Sequence, residues 1–411
     1  MIGLVDCNNF FVSCERSIDR SLEGKAVVVM SNNDGCAIAR SNEAKALGIK
    51  MGQPMFELRN LINSNQLIAI SANHLLYHEI SAIVHDIFHK YSPNVIDYSI
   101  DEAFLDMTGI PDNALYEIGR NIYDECRLKT GIPVTIGFSF TKTLAKVATD
   151  LGKKHNKHII LLSDKKEITD ILSKTNIGDI WGIGRKLTKR LYFSGIMSAK
   201  DFISKDINWI NKEFGINGVR TYNELRLIPS IDLDSCNREI QSTISETRTF
   251  ASDTNDFNFI QSQISLFASN CAKRLRQMHA CCSAITIFMA TNPYRFLHQT
   301  ISPNIQITFK LPTNSSSSII KAANDGLMQI YSPSISYKRA GIILSEIVPD
   351  NSKQLSLFED ENVDLHESTL MTTIDKINQG NNRHSLRLAS EIPIGITPKN
   401  TENLSSFHYK K

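Results

Sequence analysis

VIDYSIDEAFLD, residues 95–106, reads as two short apolar strands, Val95–Ile100 and Ala103–Asp106, joined by a turn that carries the adjacent carboxylates Asp101 and Glu102. The first apolar run of the chain, Gly3–Asp6, is a buried strand by the same criteria and ends on a third acid, Asp6. If these strands are neighbours in one sheet, three carboxylates far apart in the chain meet at one sheet edge. Hard divalent cations take such oxygen ligands. Two of them, held about 3.5–4 Å apart, lower the pKa of an attacking hydroxyl and neutralise the charge on a displaced pyrophosphate. Taken alone, an Asp after a strand is commonly a helix cap and an Asp-Glu pair on a hairpin is commonly solvated, so the reading needs support from its surroundings.

That support is basic. Asn33-Asp34-Gly35 is a tight-turn signal, and Ala37–Leu47, closed by Gly48, is expected to be a short helix bearing Arg40 and Lys45. Val134–Phe138 reads as another strand. The helix after it buries Leu144, Val147, Ala148 and Leu151 on one face, and residues 141–158 hold five lysines, among them Lys146 and Lys153, against the single acid Asp150. A triphosphate or a DNA backbone is drawn to such a surface. Further on, Trp181-Gly182-Ile183-Gly184 precedes Arg185 and Lys186, a glycine turn opening a helix whose first amides are free to bind phosphate without reading bases. It has the form of a helix-hairpin-helix. The histidine pairs His74/His78 and His85/His89 lack an HExxH frame or a third ligand and read as surface or groove residues.

Strands interleaved with helices over residues 1 to about 165 predict an α/β domain, and Ser173 to about Ser235 predict a small helical one. From 239 to 348 the order is strand, helix, strand, strand, helix, strand, that of a split ferredoxin-like sheet. Beyond Pro349 the periodicity stops in an acidic stretch, so residues 349–411 are expected to be a mostly flexible tail. A hydrophobic content of 42% and a charged content of 21% describe an ordinary globular protein, and a net charge of +2 leaves any polyanion to local patches. No window reaches the roughly 18 unbroken apolar residues of a membrane span. No signal peptide is evident, eight scattered cysteines suggest reduced thiols, and a cytoplasmic location is expected.

VDCNNFFVSCE at 5–15, SNNDGCAIARSNEAKALGIKMGQP at 31–54, YSIDEAF at 98–104, TKTLAKVATDLGKK at 141–154 and DIWGIGRK at 179–186 together resemble the Y-family DNA polymerases, most closely the UmuC type, in order and spacing over residues 1 to about 358. The resemblance implies a right-hand polymerase: an α/β palm (1–30 and 73–168), small fingers (31–72), a helical thumb with the hairpin (169–235) and a βαββαβ little finger (239–348). It implies that Asp6, Asp101 and Glu102, with the Cys7 carbonyl, bind two Mg²⁺ ions, for which Mn²⁺ can substitute. Phe11 becomes the steric gate that excludes a 2'-hydroxyl. Lys45 and Lys153, with Arg40 nearby, take the triphosphate of a dNTP, and Asn42 stands where many relatives have a tyrosine. Gly182, Gly184, Arg185 and Lys186 hold primer-template DNA by its phosphates. Gln354, Leu355, Leu357 and Phe358 resemble a peptide that binds the β sliding clamp.

Error-prone translesion synthesis in the SOS DNA-damage response, without a proofreading exonuclease, is the activity implied, with a cleaved UmuD-type dimer and RecA as further partners. The tail departs from the family: its Trp is absent, and Ile396–Thr401 is the nearest counterpart of the basic end. A nucleotidyl cyclase on a similar palm needs neither the hairpin nor the clamp peptide, and a catalytically inactive DNA/clamp-binding adaptor has no need of all three carboxylates.

Overall fold

A computed structural model of the chain describes residues 1–31, 35–232, 241–293, 300–352, 361–379 and 386–391. The chain divides into two compact units, Met1–Cys236 and Asn237–Thr401. In the first, β1 (Ile2–Cys7) leads into α1 (Phe10–Ile18), β2 (Val27–Met30), β3 (Ala37–Arg40), α2 (Asn42–Ala46), α3 (Met55–Asn63), β4 (Ile68–Ser71) and α4 (His74–Phe88). There follow β5 (Val95–Asp97), β6 (Glu102–Asp106), α5 (Asp112–Thr130), β7 (Val134–Ser139), α6 (Lys142–Lys154), β8 (Ile159–Leu161) and α7 (Lys165–Lys174). Five of the described strands form one sheet in the order β5-β6-β1-β7-β8, with β1 antiparallel to both of its neighbours.

Residues two apart in a strand share a face. Val5, Cys7, Ala103, Leu105, Ile136 and Phe138 accordingly meet the apolar sides of α4 and α5 in the main core. The opposite face, with Leu4 and Phe104, is covered by Ala145 of α6. Gly137 permits that approach, since a Cβ there would lie 2.5 Å from Ala145 O and Thr149 N. The sheet is thus layered between α4/α5 and α6.

A three-stranded sheet, β3-β2-β4, has its own small core. Val27 and Val29 of β2 face the main core while Val28 and Met30 face the small one, so all four are buried. The helix expected over Ala37–Leu47 is instead β3 followed by α2. Ala37–Arg40 alternate between buried and half-buried positions beside β2, and Ser41 starts the helix by accepting the Ala44 N–H at 3.1 Å. The helix ends as expected at Gly48, with φ of 79°. Asn33 and Asp34 of the turn lie outside the described residues. The nineteen residues of α5, held between Pro111 at the N-cap and Gly131 at φ 74°, escaped the sequence reading.

The helical part consists of α8 (Arg185–Phe193), α9 (Ala199–Ile203) and α10 (Ile207–Leu225) around Ile177, Ile183, Leu191, Phe202 and Tyr222. A buried carboxylate joins it to α6. Glu224 accepts the Thr143 N–H at 2.9 Å in the first turn of α6, and the N–H groups of Ser230 and Ile231 at 2.7 and 3.1 Å. A helix N-terminus carries partial positive charge, which favours an acid there.

In the second unit, β9 (Thr243–Thr254), α11 (Phe257–Gln277), β10 (Ala280–Ala290), β11 (Asn304–Thr313), α12 (Ser316–Ile330) and β12 (Tyr337–Pro349) keep the expected βαββαβ order. The antiparallel sheet runs β11-β10-β12-β9, so each βαβ unit is split by a strand of the other. Both helices share one apolar core with the sheet. The expectation of a mostly flexible tail needs correction where the structure describes it. α13 (Glu361–Gln379) is a helix with Met371 buried, and its Asp375 receives both Nε and Nη2 of Arg276 at 2.7 and 3.0 Å. No described helix is long and apolar enough to cross a membrane.

Substituting Glu224→Ala leaves three backbone N–H groups without their acceptor in a buried site, and is expected to cost about 3 kcal/mol of stability in urea unfolding. Glu224→Gln, which keeps one acceptor oxygen, should lose less.

Candidate active site

Asp6 and Glu102 stand directly opposite each other across the β1–β6 ladder. The pleat turns both carboxyls to the face covered by α6. There, Lys153 Nζ lies 2.5 Å from Asp6 Oδ2, and Lys146 Nζ lies 2.9 and 3.0 Å from the two oxygens of Glu102. The two lysines are about two helical turns apart, hence on one side of α6.

The carboxyls also hydrogen-bond each other, and their titrations diverge. Burial, reinforced by the bond to Glu102 and only partly offset by Lys153, pushes Asp6 up to about 7. Burial also opposes ionisation of Glu102, but the hydrogen bond from Asp6 and the Lys146 ammonium outweigh it and hold Glu102 below its usual range. Two acids this close share one proton unless further positive charge arrives. An all-oxygen pair of this kind fits a hard divalent cation.

Asp101 is at the same edge by backbone but not by side chain. Its carbonyl accepts the Cys7 N–H at 2.9 Å, while its carboxylate accepts from Ser99 Oγ at 2.6 Å. The expected meeting of three carboxylates is therefore a meeting of two. Asp101 lies in the bend just before β6, where Ser99 rather than Asp6 takes up its carboxylate. Among the described residues, no three His, Cys, Asp or Glu side chains form a cluster able to hold a metal as they stand. The Cys7 side chain is buried in the main core.

The basic residues gather beside this pair. Lys45 donates to Asn9 Oδ1 at 2.6 Å, and Asn9 Nδ2 donates to Asn42 Oδ1 at 3.0 Å. Burial, then the charges of Arg40 and Lys153, lower the Lys45 pKa, which puts all three cations in one neighbourhood. Arg40 is partly engaged: one Nη donates to Ile49 O at 2.7 Å, while its Nε is buried without a partner. Asn9 was not singled out in the sequence. Its left-handed backbone, φ 50°, at the start of α1 is of a kind asparagine tolerates, but nothing local announces its link to Lys45.

Phe11 is half-buried. It stacks on Tyr77 at 4.4 Å between centroids, with His74 edge-on at 5.9 Å, and Tyr77 donates to Glu15 at 2.6 Å. Phe10 is a core residue. His85 is engaged with Asp97 at 2.6 Å, and Ser81 donates to Ile100 O at 2.6 Å, so α4 grips the hairpin that carries Asp101 and Glu102.

Gly182 has φ of 87°, and Gly184 caps α8 without a side-chain hydrogen bond, which leaves the first amides of the helix uncapped by side chains. Arg185 and Lys186 are exposed beside them. Gln354, Leu355, Leu357 and Phe358 lie outside the described residues.

Comparison with known proteins shows the family of the chain. Residues 5–150 match the impB/mucB/samB family, and residues 241–357 match the C-terminal domain of that family. The chain is 33% identical to Protein UmuC of Salmonella typhimurium strain LT2, over 95% of this chain and 93% of the relative. It is 33% identical to Protein ImpB of Salmonella typhimurium, over 92% and 90%. DNA polymerase IV of Staphylococcus aureus strain JH9 is 26% identical over 86% and 97%. In fold it is similar to a Y-family DNA polymerase chimera of Dbh and Dpo4, with a TM-score of 0.70 and 24% identity over 85% of this chain and all of that one.

Asp6 titrates at about 7 in the fold against an ordinary 3.8, so the folded protein takes up a proton as the pH falls through that interval. Its contribution to stability is complete below about pH 4 and is lost as the pH rises through about 7. A divalent cation competes with that proton, so added cation should raise the melting temperature more at about pH 8 than at about pH 6. Thermal melts across pH measure this, and Asp6→Asn should flatten both dependences.

Proposed function

The chain belongs to the impB/mucB/samB family of Y-family polymerases and is an error-prone translesion DNA polymerase, and we propose that Asp6, Asp101 and Glu102 carry its chemistry with a pair of Mg²⁺ ions. The observation that carries this assignment is the buried Asp6–Glu102 pair, matched by two lysines from one helix face. When bound, the ions lower the pKa of the primer 3'-hydroxyl and offset charge on the departing pyrophosphate. Mn²⁺ can replace Mg²⁺ in an oxygen site of this kind. The Cys7 carbonyl completes the ligands.

The remaining residues position and select. Asp6 gives up the proton it shares with Glu102, and Asp101 turns from Ser99 toward the pair. Lys153, Lys45 and Arg40 receive the triphosphate, whose charge suits three clustered cations. Phe11, fixed from below by Tyr77, sets its ring beneath the sugar and leaves no room for a 2'-hydroxyl. The Gly182–Gly184 turn, with Arg185 and Lys186, holds DNA by its phosphates. In this reading residues 1–30 and 73–168 are the palm, 31–72 the fingers, 169–235 the thumb and 239–348 the little finger.

Primer-template DNA and dNTPs are the substrates. Gln354, Leu355, Leu357 and Phe358 dock in the apolar groove of the β sliding clamp, and a cleaved UmuD-type dimer and RecA assist the enzyme in the SOS response. The inactive-adaptor alternative is not favoured, because the acidic pair is intact and set in a charge environment that a scaffold does not need.

Primer extension on undamaged and abasic templates with Mg²⁺ tests the assignment, with clamp, RecA and the UmuD-type dimer supplied. Asp6→Asn and Asp101→Asn should each lower the rate by about a thousandfold or more, and an unchanged rate in either would remove that residue from the chemistry. Phe11→Ala should admit ribonucleotides while retaining extension with dNTPs; unaltered sugar selectivity would show that the ring is only a core aromatic.

A further inference from the structure

Trp181 immediately precedes the Gly182–Gly184 turn, yet its ring packs on the sheet face that bears the carboxylates, against Leu4, Phe104 and Ala145. Its indole is edge-on to Tyr98 at 5.5 Å, and its Nε1–H donates to the Tyr98 hydroxyl at 3.0 Å. The ring of Phe104 lies 5.8 Å away. Lys146 Nζ sits over both faces of this corner, 5.1 Å from the Tyr98 ring centre and 5.8 Å from that of Trp181, while it donates to both oxygens of Glu102. An ammonium within about 6 Å of an aromatic face is attracted to it.

This sets the two lysines apart. The Lys153 side chain is 36% exposed and its ion pair is with Asp6, whereas the Lys146 side chain is 18% exposed and confined by two rings as well as by its carboxylate. A lysine is a point charge on a flexible stem and holds no direction by itself. Confinement by a rigid pair of rings supplies the direction. The residue that supplies one of those rings immediately precedes the Gly182–Gly184 turn.

We propose that Trp181, acting with Tyr98, is a positioning residue that fixes Lys146 on Glu102 and thereby ties the cation-binding carboxylates to the DNA-binding hairpin. The inference rests on the reading of Asp6 and Glu102 as cation ligands. Through this contact the seat of the hairpin and the direction of Glu102 are set by the same side chain, without Trp181 touching either substrate.

The test uses the full chain and has readouts other than activity. Mn²⁺ binding is followed by electron paramagnetic resonance for the parent, Trp181→Ala, Trp181→Phe, Tyr98→Phe and Asp6→Asn. Loss of an outer partner of a metal ligand commonly costs about tenfold or more in affinity, and that is the loss expected for Trp181→Ala. Tyr98→Phe keeps both rings and removes only the hydrogen bond between them, so it should lose about threefold, and Trp181→Phe, which keeps a smaller aromatic ring without the N–H, should fall between it and Trp181→Ala. Trp181 and Trp209 are the two tryptophans, so Trp209→Phe makes Trp181 the sole indole reporter. Its emission should then shift both on adding Mg²⁺ alone and on adding duplex DNA alone. If Asp6→Asn abolishes Mn²⁺ binding while the Trp181 and Tyr98 variants bind as the parent, or if Trp181 emission ignores Mg²⁺, the positioning role is overturned. If Asp6→Asn binds Mn²⁺ as tightly as the parent, the carboxylate reading beneath it falls instead.

Discussion

Two acids face each other on adjacent antiparallel strands, and most of what surrounds them answers the repulsion this creates. Asp6 and Glu102 cannot separate, because the ladder pairs their Cα positions and the pleat aims both at α6. One lysine on each neutralises the two carboxyls when both are ionised, and a proton held on Asp6 leaves the cluster with one positive charge in excess. A divalent cation bound there would compete with that proton. The same geometry demands that α6 lie close to the sheet, and Gly137, opposite Leu4 in the ladder, supplies the room.

The supports around the pair are graded in rigidity. Lys146 is boxed by two aromatic rings, the hairpin bearing Glu102 is gripped by Ser81 and His85 of α4, and Phe11 is backed by Tyr77, itself tied to Glu15. Lys153 and Lys45 are held only by polar partners at their tips. Groups that must define a shape are locked by packing, whereas groups that must greet a charged ligand keep rotatable bonds.

Distinct cores let the parts keep separate identities in one chain. β2 is buried on both faces because it belongs to two of them, and α6 belongs to a third, where its Leu144, Val147 and Ala148 pack with the helical part while Glu224 accepts the Thr143 amide. The second unit closes its own core with two helices over one sheet face, and α13 is attached there through the Arg276–Asp375 pair. On the proposed reading of the β3-β2-β4 sheet as the fingers, its three strands offer little surface with which to enclose a base pair.

Local pattern alone determined the strand that carries Asp6, the strand from Ala103 that follows Glu102, the apolar stripe of α6, the glycine turn at 182–184 and the βαββαβ order, because each depends on residues close in sequence. It misread Ala37–Arg40, where alanines suit a helix but the neighbouring β2 selects a strand, and it passed over α5 and the packed part of the tail. The pairing of Asp375 depends on a partner helix about a hundred residues earlier. Tertiary structure alone decided which acids face each other, that Asp101 turns to Ser99, that Asn9 holds Lys45, and that Trp181 leaves its own hairpin to cage Lys146. The physical reason is common to all four: direction in space comes from strand pairing and ring packing between segments distant in the chain, and no spacing along the sequence encodes it.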